Sequence, residues 1–381
     1  MNLFSMTKIS KGSARPYKKV QSKYDKSRHK KLYISDRMTR TYFNLTKRKC
    51  ICNVYEFKKL LAHYEDELIK GTLSCKIAKL LPMLRKMDYI FDYDYDPQKS
   101  KFGYLTPAIS FAFTGRIFES FGLQIFKPVR AALLTGIDYI NYDLEKSQLN
   151  ILNYYRPSEA IQNGFVLIDT LEAMGYPKKL LKSAIYNAIF NAGYSNKLSA
   201  VIELRKYAKQ NKLSMKPIKE LLEPLGDVAS ELADTLIGQQ QKNGSWVNKN
   251  DCILTKSEFD RRVAKKVKES IGRLSKKQRW CLSNIDKIQD EDMKAELTNL
   301  VAYNKKKAAK GILLAFYLQG LESYIIQTVI NKIDEHGFQV LSSQHDGLIV
   351  LGNGGQPEIQ KIMTEVNLEL GYDFRLIIKP I

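Results

Sequence analysis

The chain has 381 residues, with 61 Lys and Arg against 40 Asp and Glu, a formal charge of +21 at neutral pH. This length allows two or three average domains, and a cation excess spread along the whole chain favours a polyanionic partner. Five scattered cysteines (Cys50, Cys52, Cys75, Cys252, Cys281) lack paired zinc-ligand spacing and exclude a disulfide framework.

Residues 1–50 are rich in Lys and Arg and poor in aliphatics, so a basic, partly disordered segment is expected there. It lacks the apolar stretch of a secretory signal, and the hydropathy pattern shows no membrane-length run. A soluble protein of the cytoplasm, or of an organelle matrix or stroma, is the expectation, with no membrane partner. Over residues 54–87, Phe57, Leu60, Leu61, Tyr64 and Leu68 recur at helical spacing, predicting two helices around Gly71.

Short apolar runs punctuated by Gly and Pro follow, ending in a strand-like segment at 137–144. Residues 158–193 read as helical and stop at Gly193, a suitable residue beyond a helix end. Residues 215–300 are helical and charge-rich, broken at 244–251 by GSWVNKND, a turn or hairpin. The last part reads as helix (305–334), strand (339–343), tight turn, strand (348–351), helix (357–370) and strand (374–379). With neither internal repeat nor low-complexity block, the pattern predicts an α+β fold with an antiparallel sheet.

Two acids stand out by position. In VLSSQHDGLIVLG, two β-prone runs flank His345-Asp346, which places a carboxylate at a hairpin tip. In YINYDLEKSQLNIL, Asp143 closes another β-prone run. A third pattern is a stripe: Lys178, Lys182, Tyr186 and Phe190 fall every fourth residue, lining one helix face with cations at one end and rings at the other. Phosphates suit the first half of such a face, and sugar and base the second.

Taken in chain order, Thr114-Gly115-Arg116, the Asp143 segment, the Lys178 to Phe190 stripe, Gln319-Gly320 and His345-Asp346 resemble the motif series of family A DNA polymerases and the related single-subunit phage RNA polymerases. The resemblance covers about residues 110–381. It implies a right-hand polymerase fold with an antiparallel palm sheet: palm from 106–156 and 301–381, helical fingers from 157–300, and a reduced thumb from 51–105. It implies Asp143, the Leu144 carbonyl and Asp346 as ligands of two Mg²⁺ ions, with Mn²⁺ as a substitute. Lys178, Lys182, Tyr186 and Phe190 would bind the nucleotide, with Gln148 beside its sugar. Arg116, Gln319 and His345 would contact primer-template, with Gln124 and Arg130 near the same groove.

Five positions depart from the family. Gly347 stands where its DNA polymerases carry Glu, Gln148 where a Glu excludes a ribose 2′-hydroxyl, Lys178 for Arg, and Phe190-Asn191 for Tyr-Gly. Gly347 and Gln148 weaken the preference for deoxynucleotides, and Phe190, lacking a tyrosine hydroxyl, restores some of it. The implied activity is primer extension with dNTPs in replication of a phage, plasmid or mobile element. No proofreading is expected, and replication accessory proteins are expected partners. The alternatives are an RNA polymerase or primase-polymerase using NTPs, and a non-catalytic nucleic-acid-binding replication initiator.

Overall fold

The computed structural model describes residues 35–46, 49–94, 100–120, 123–196, 198–272, 274–352 and 356–379. Most of the basic segment expected at 1–50 lies outside the described residues. Its described end forms helix α1 (Asp36–Thr46) and leads into strand β1 (Cys50–Asn53).

The described chain divides into two compact units. The first comprises the residues up to Ser147, Lys249–Cys252, and those from Leu321 onward. It opens with β1, whose last residue, Asn53, caps α2 (Val54–Ile69) by accepting the Glu56 amide. Helix α3 (Cys75–Asp94) follows, so the two helices expected around Gly71 are present, and Gly71 sits at φ 71° between them. Phe57 and Phe91 pack edge to face with centroids 5.4 Å apart, in a core shared with Leu84, Met87 and Leu105.

Strands β2 (Phe102–Leu105), β3 (Ala108–Phe111) and β4 (Ile117–Ser120) and helix α4 (Lys127–Leu134) lead to β5 (Tyr139–Leu144). Near the chain end, β8 (Val340–Gln344) and β9 (Gly347–Leu351) form a hairpin, followed by α13 (Gln356–Leu370) and β10 (Leu376–Ile378). These strands assemble an antiparallel sheet in the order β10-β5-β9-β8. Each strand of this C-terminal group lies within about two residues of its expected limits.

The second unit, Gln148–Asn248 with Ile253–Gly320, is built mainly of helices. Helix α5 (Ser147–Tyr155) leads to α6 (Glu159–Ala173) and α7 (Lys178–Phe190). The single helical stretch expected over 158–193 is thus two helices. Gly175 at φ 93° and Pro177 separate them, because proline cannot supply the amide that would continue the ladder. After α7, Gly193 turns at φ 150° against α9 (Lys216–Gly238), where a Cβ on Gly226 would lie 2.7 Å from the Gly193 Cα.

Helix α8 (Ser199–Gln210) precedes α9, and the expected hairpin is β6 (Trp246–Val247) with β7 (Ile253–Leu254). Then come α10 (Lys256–Gly272), α11 (Lys276–Ser283) and α12 (Glu291–Glu335). At 45 residues α12 begins well before the expected 305. One window of it has mean hydropathy 1.2, long and apolar enough to cross a membrane by composition, but 89% of that window is buried, as in a core helix.

Candidate active site

Asp143 is the fifth residue of β5, and the ladder sets it opposite Gly347 on β9 and Ile377 on β10. The Leu144 amide donates to the Asp346 carbonyl at 2.6 Å, fastening the end of β5 to the β8–β9 turn. Strand pairing therefore brings Asp143, Leu144 and Asp346 together from distant parts of the sequence. Gly347 makes this approach possible: a Cβ there would lie 2.1 Å from the Tyr142 carbonyl oxygen and 3.0 Å from the Asp143 Cα. The packing of β9 on β5 therefore leaves no room for a side chain at this position.

Asp143 is 9% exposed, and the ammonium of Lys379, just beyond β10, is ion-paired with its Oδ2. The Lys379 amide donates to the Asn141 carbonyl at 2.8 Å, which holds this lysine beside β5. Burial lowers the Lys379 pKa.

A third carboxylate lies close by. Glu322, on α12, is fully buried and accepts from Arg116 Nε at 2.8 Å and from Arg116 Nη2 on the same oxygen, Oε2. Burial raises the Glu322 pKa, Arg116 pulls it down, and the charge of Asp346 raises it again. Arg116 therefore stands in the electrostatic neighbourhood of Asp346, held by an acid. Glu322 had a visible signal: it is a lone acid in a long apolar run of α12, three residues after Gln319.

His345 occupies the turn at φ 23°, with its ring edge-on to Phe118 at 5.0 Å between centroids. Burial, then the Arg116 charge, lowers its pKa, against the opposing pull of Asp346. Gln124 and Arg130, expected near the primer groove, are tied into the framework. Gln124 Nε2 donates to the carbonyls of Ile117 at 3.0 Å and Ser343 at 2.5 Å, and Arg130 Nη1 donates to Gln344 Oε1. Both brace β8, which carries the turn.

Among the described residues, no group of three or more His, Cys, Asp or Glu side chains could hold a metal ion as a protein cage. Asp143 and Asp346 still fit Mg²⁺, which binds through one or two carboxylates and fills its shell with water and substrate phosphate oxygens. Glu322 is engaged by Arg116 and is not needed for that set.

In the second unit the stripe on α7 is realised. Lys178 is exposed and paired with Glu172 at 3.1 Å, Lys182 Nζ lies 5.4 Å from the Tyr186 ring centroid, and Tyr186 meets Phe190 edge-on at 6.3 Å. Leu181, Ala184, Ile185 and Ala188 bury the opposite face. Gln148, near the start of α5, is 1% exposed, and Gln319 is half-buried. A Cβ on Gly320 would lie 2.3 Å from Asn248 Nδ2, which donates to the Phe316 carbonyl, so this glycine admits a neighbouring side chain.

No family model matches the sequence, and no curated protein matches it. Among solved structures, the POL domain of Pol1 from M. smegmatis, in complex with DNA primer-template and dNTP, is similar at a TM-score of 0.53 and 12% identity, covering 90% of this chain and 68% of that one. The chain thus has the fold of a polymerase domain.

Proposed function

We propose that a chain with a polymerase-domain fold and this carboxylate pair is a template-directed nucleotidyltransferase, extending a primer 3′-hydroxyl with nucleoside triphosphates. The observation that carries the proposal is the β5–β9 register, which sets Asp143 opposite Gly347 while Asp346 receives the Leu144 amide. A two-metal reaction needs two carboxylates on adjacent, rigid backbone, roughly 3.5–4 Å being the usual spacing of the ions. Mg²⁺, or Mn²⁺ in its place, would be held by Asp143, Asp346 and the Leu144 carbonyl. When bound it would supply Lewis-acid activation of the hydroxyl and neutralise triphosphate charge.

The chain's own groups do the rest. The carboxylate of Asp143 must exchange the Lys379 ammonium for the cation, and the exposure of Lys379 makes that exchange inexpensive. Lys178 and Lys182 supply positive charge for the triphosphate; the exposed Lys178–Glu172 pair gives way at low cost. Tyr186 and Phe190 continue the same helix face with rings suited to sugar and base. Arg116 is the primer-terminus donor, and Gln319 and His345 belong to the same primer-template set. We place these groups in the palm and fingers of a right-hand polymerase acting on DNA.

DNA synthesis is the preferred form because Phe190 has no hydroxyl to favour ribose. Gln148, a neutral amide at a sugar-excluding position, is the feature that favours the rival, an enzyme using NTPs. Primer extension with Asp143→Asn and Asp346→Asn, in matched dNTP and NTP pools with and without primer, tests both readings. Either variant at near wild-type activity overturns the metal assignment, and primer-independent NTP incorporation makes the rival correct. Wild-type protein that incorporates nothing with Mg²⁺ or Mn²⁺ leaves a non-catalytic nucleic-acid-binding initiator.

A further inference from the structure

The second unit contains a cavity of about 530 Å³, a size in the range of ligand-binding clefts. Its walls are the end of α7 and the segment beyond it, Lys266 and Ser270 from α10, and Tyr303, Asn304 and Lys307 from α12. Apart from Phe190, none of the α7 stripe residues lines it. Most of this lining comes from 195–300 and the α12 turns just after it, where the sequence offers no polymerase motif.

The cavity is cationic. Lys266 and Lys307 both line it, and neither forms an ion pair with a described residue. Glu269, the one carboxylate in the lining, is paired with Lys265 at 3.9 Å. Lys266 is exposed as a residue, and its Nζ lies against α12. A Cβ on Gly311 would lie 3.3 Å from it and 2.4 Å from the Phe190 carbonyl oxygen, so only glycine leaves room there. Packing around the two ammonium groups lowers the pKa of both, against the opposing pull of Glu269 on Lys266, and an anion in the cavity would oppose it further.

The remaining wall is fixed and polar. Ser270 Oγ donates to Asn304 Oδ1 at 2.9 Å, and Asn304 Nδ2 donates to the Leu300 carbonyl at 2.9 Å, leaving the serine oxygen as an oriented acceptor. Tyr303 is 63% exposed, a large ring placed among the lining residues without being buried by them. Two cations and an accessible aromatic face match a phosphate carried by a flat ring, and the serine acceptor suits a sugar hydroxyl. We infer that this cavity binds a nucleotide, with Lys266 and Lys307 on its phosphate and Tyr303 against its base. The nucleotide comes either as a free monomer or as one unpaired residue of a single strand. The inference uses neither aspartate and stands or falls separately from the polymerase proposal.

Calorimetric titration of the full chain in EDTA, which removes metal-dependent binding at the carboxylates, tests it with AMP, adenosine, inorganic phosphate and a single-stranded 12-mer. AMP should bind, phosphate should compete, and adenosine should bind far more weakly. Lys266→Gln with Lys307→Gln should weaken AMP binding about a hundredfold, about tenfold for each charge-assisted hydrogen bond lost, with the melting curve unchanged. Lys268→Gln with Lys305→Gln, exposed and outside the lining, should change it little. Greater loss for the 12-mer than for AMP identifies the strand as the source, and the reverse identifies the monomer. The inference is overturned if adenosine binds as well as AMP, if no probe binds, or if the two double variants behave alike.

Discussion

Gly347 packs against Tyr142 so closely that a single added methyl group would sit 2.1 Å from the Tyr142 carbonyl oxygen. The neighbouring strand positions are Asp143 and Asp346, so any shift of β9 away from β5 also moves the proposed carboxylate pair. Gly347→Ala must push β9 away from β5 or distort the turn, at a cost of about 1–3 kcal/mol for overpacking. A lowered melting temperature together with loss of primer extension is the expected result. Gly347→Glu, which restores the family's acid, should fail in the same way and gain no preference for dNTPs; wild-type melting and activity in that variant would refute the packing account.

Lys379 competes with any cation for Asp143. Its pair with Asp143 is partly exposed, so it contributes on the order of 1 kcal/mol, equivalent to about fivefold in binding. Lys379→Met should therefore lower the Mg²⁺ concentration needed for half-maximal extension by about fivefold. A Mg²⁺ titration of wild type and variant measures this directly. A higher requirement in the variant would instead assign the lysine to a substrate phosphate.

What could be read in advance follows from how local each signal is. The β8–β9 hairpin, the α7 stripe and the break near Gly71 depend on residues within a few positions of each other, and all three are present. Asp143 depended on its order among other motifs, and its partnership with Asp346 is made by ladder hydrogen bonds that no local pattern encodes. Lys379 and Glu322 reach the site from β10 and α12, so a chain-order search around each motif misses them. The helical apolar spacing continues on both sides of Pro177, so the pattern over 158–193 hides the break that this proline makes. The role of Gly347 could not be inferred, because its reason is the backbone of a strand far away in sequence.

Arg116 is held by Glu322 through two donors on one oxygen. Replacing the acid by Ala leaves a guanidinium, 19% exposed at its side chain, without its main partner, and breaking such a pair costs about 3–5 kcal/mol. Glu322→Ala should therefore be strongly destabilised. Glu322→Gln keeps an acceptor but not the charge, so it should fold, release Arg116 more readily and change KM for primer-template more than kcat. Equal effects on both constants would mean that Glu322 positions the aspartates rather than the arginine.

Glu119 gives the sheet a pH dependence of its own. On β4 it is buried against β8, accepting from Ser342 Oγ at 2.7 Å and the Ser343 amide at 2.7 Å, and burial pushes its pKa up to about 7 from an ordinary 4.5. The raised value means the folded protein holds this proton more tightly than the unfolded chain. The stability it brings is complete below about pH 4.5 and is lost as pH rises through about 7. At roughly 1.4 kcal/mol for each tenfold change in proton affinity, the loss is about 3 kcal/mol at most. Urea melts between pH 4 and pH 8 should show wild type weakening relative to Glu119→Gln, whose amide cannot ionise. Parallel curves for the two proteins would show that Glu119 stays charged when folded, with the Ser342 and Ser343 donors outweighing its burial.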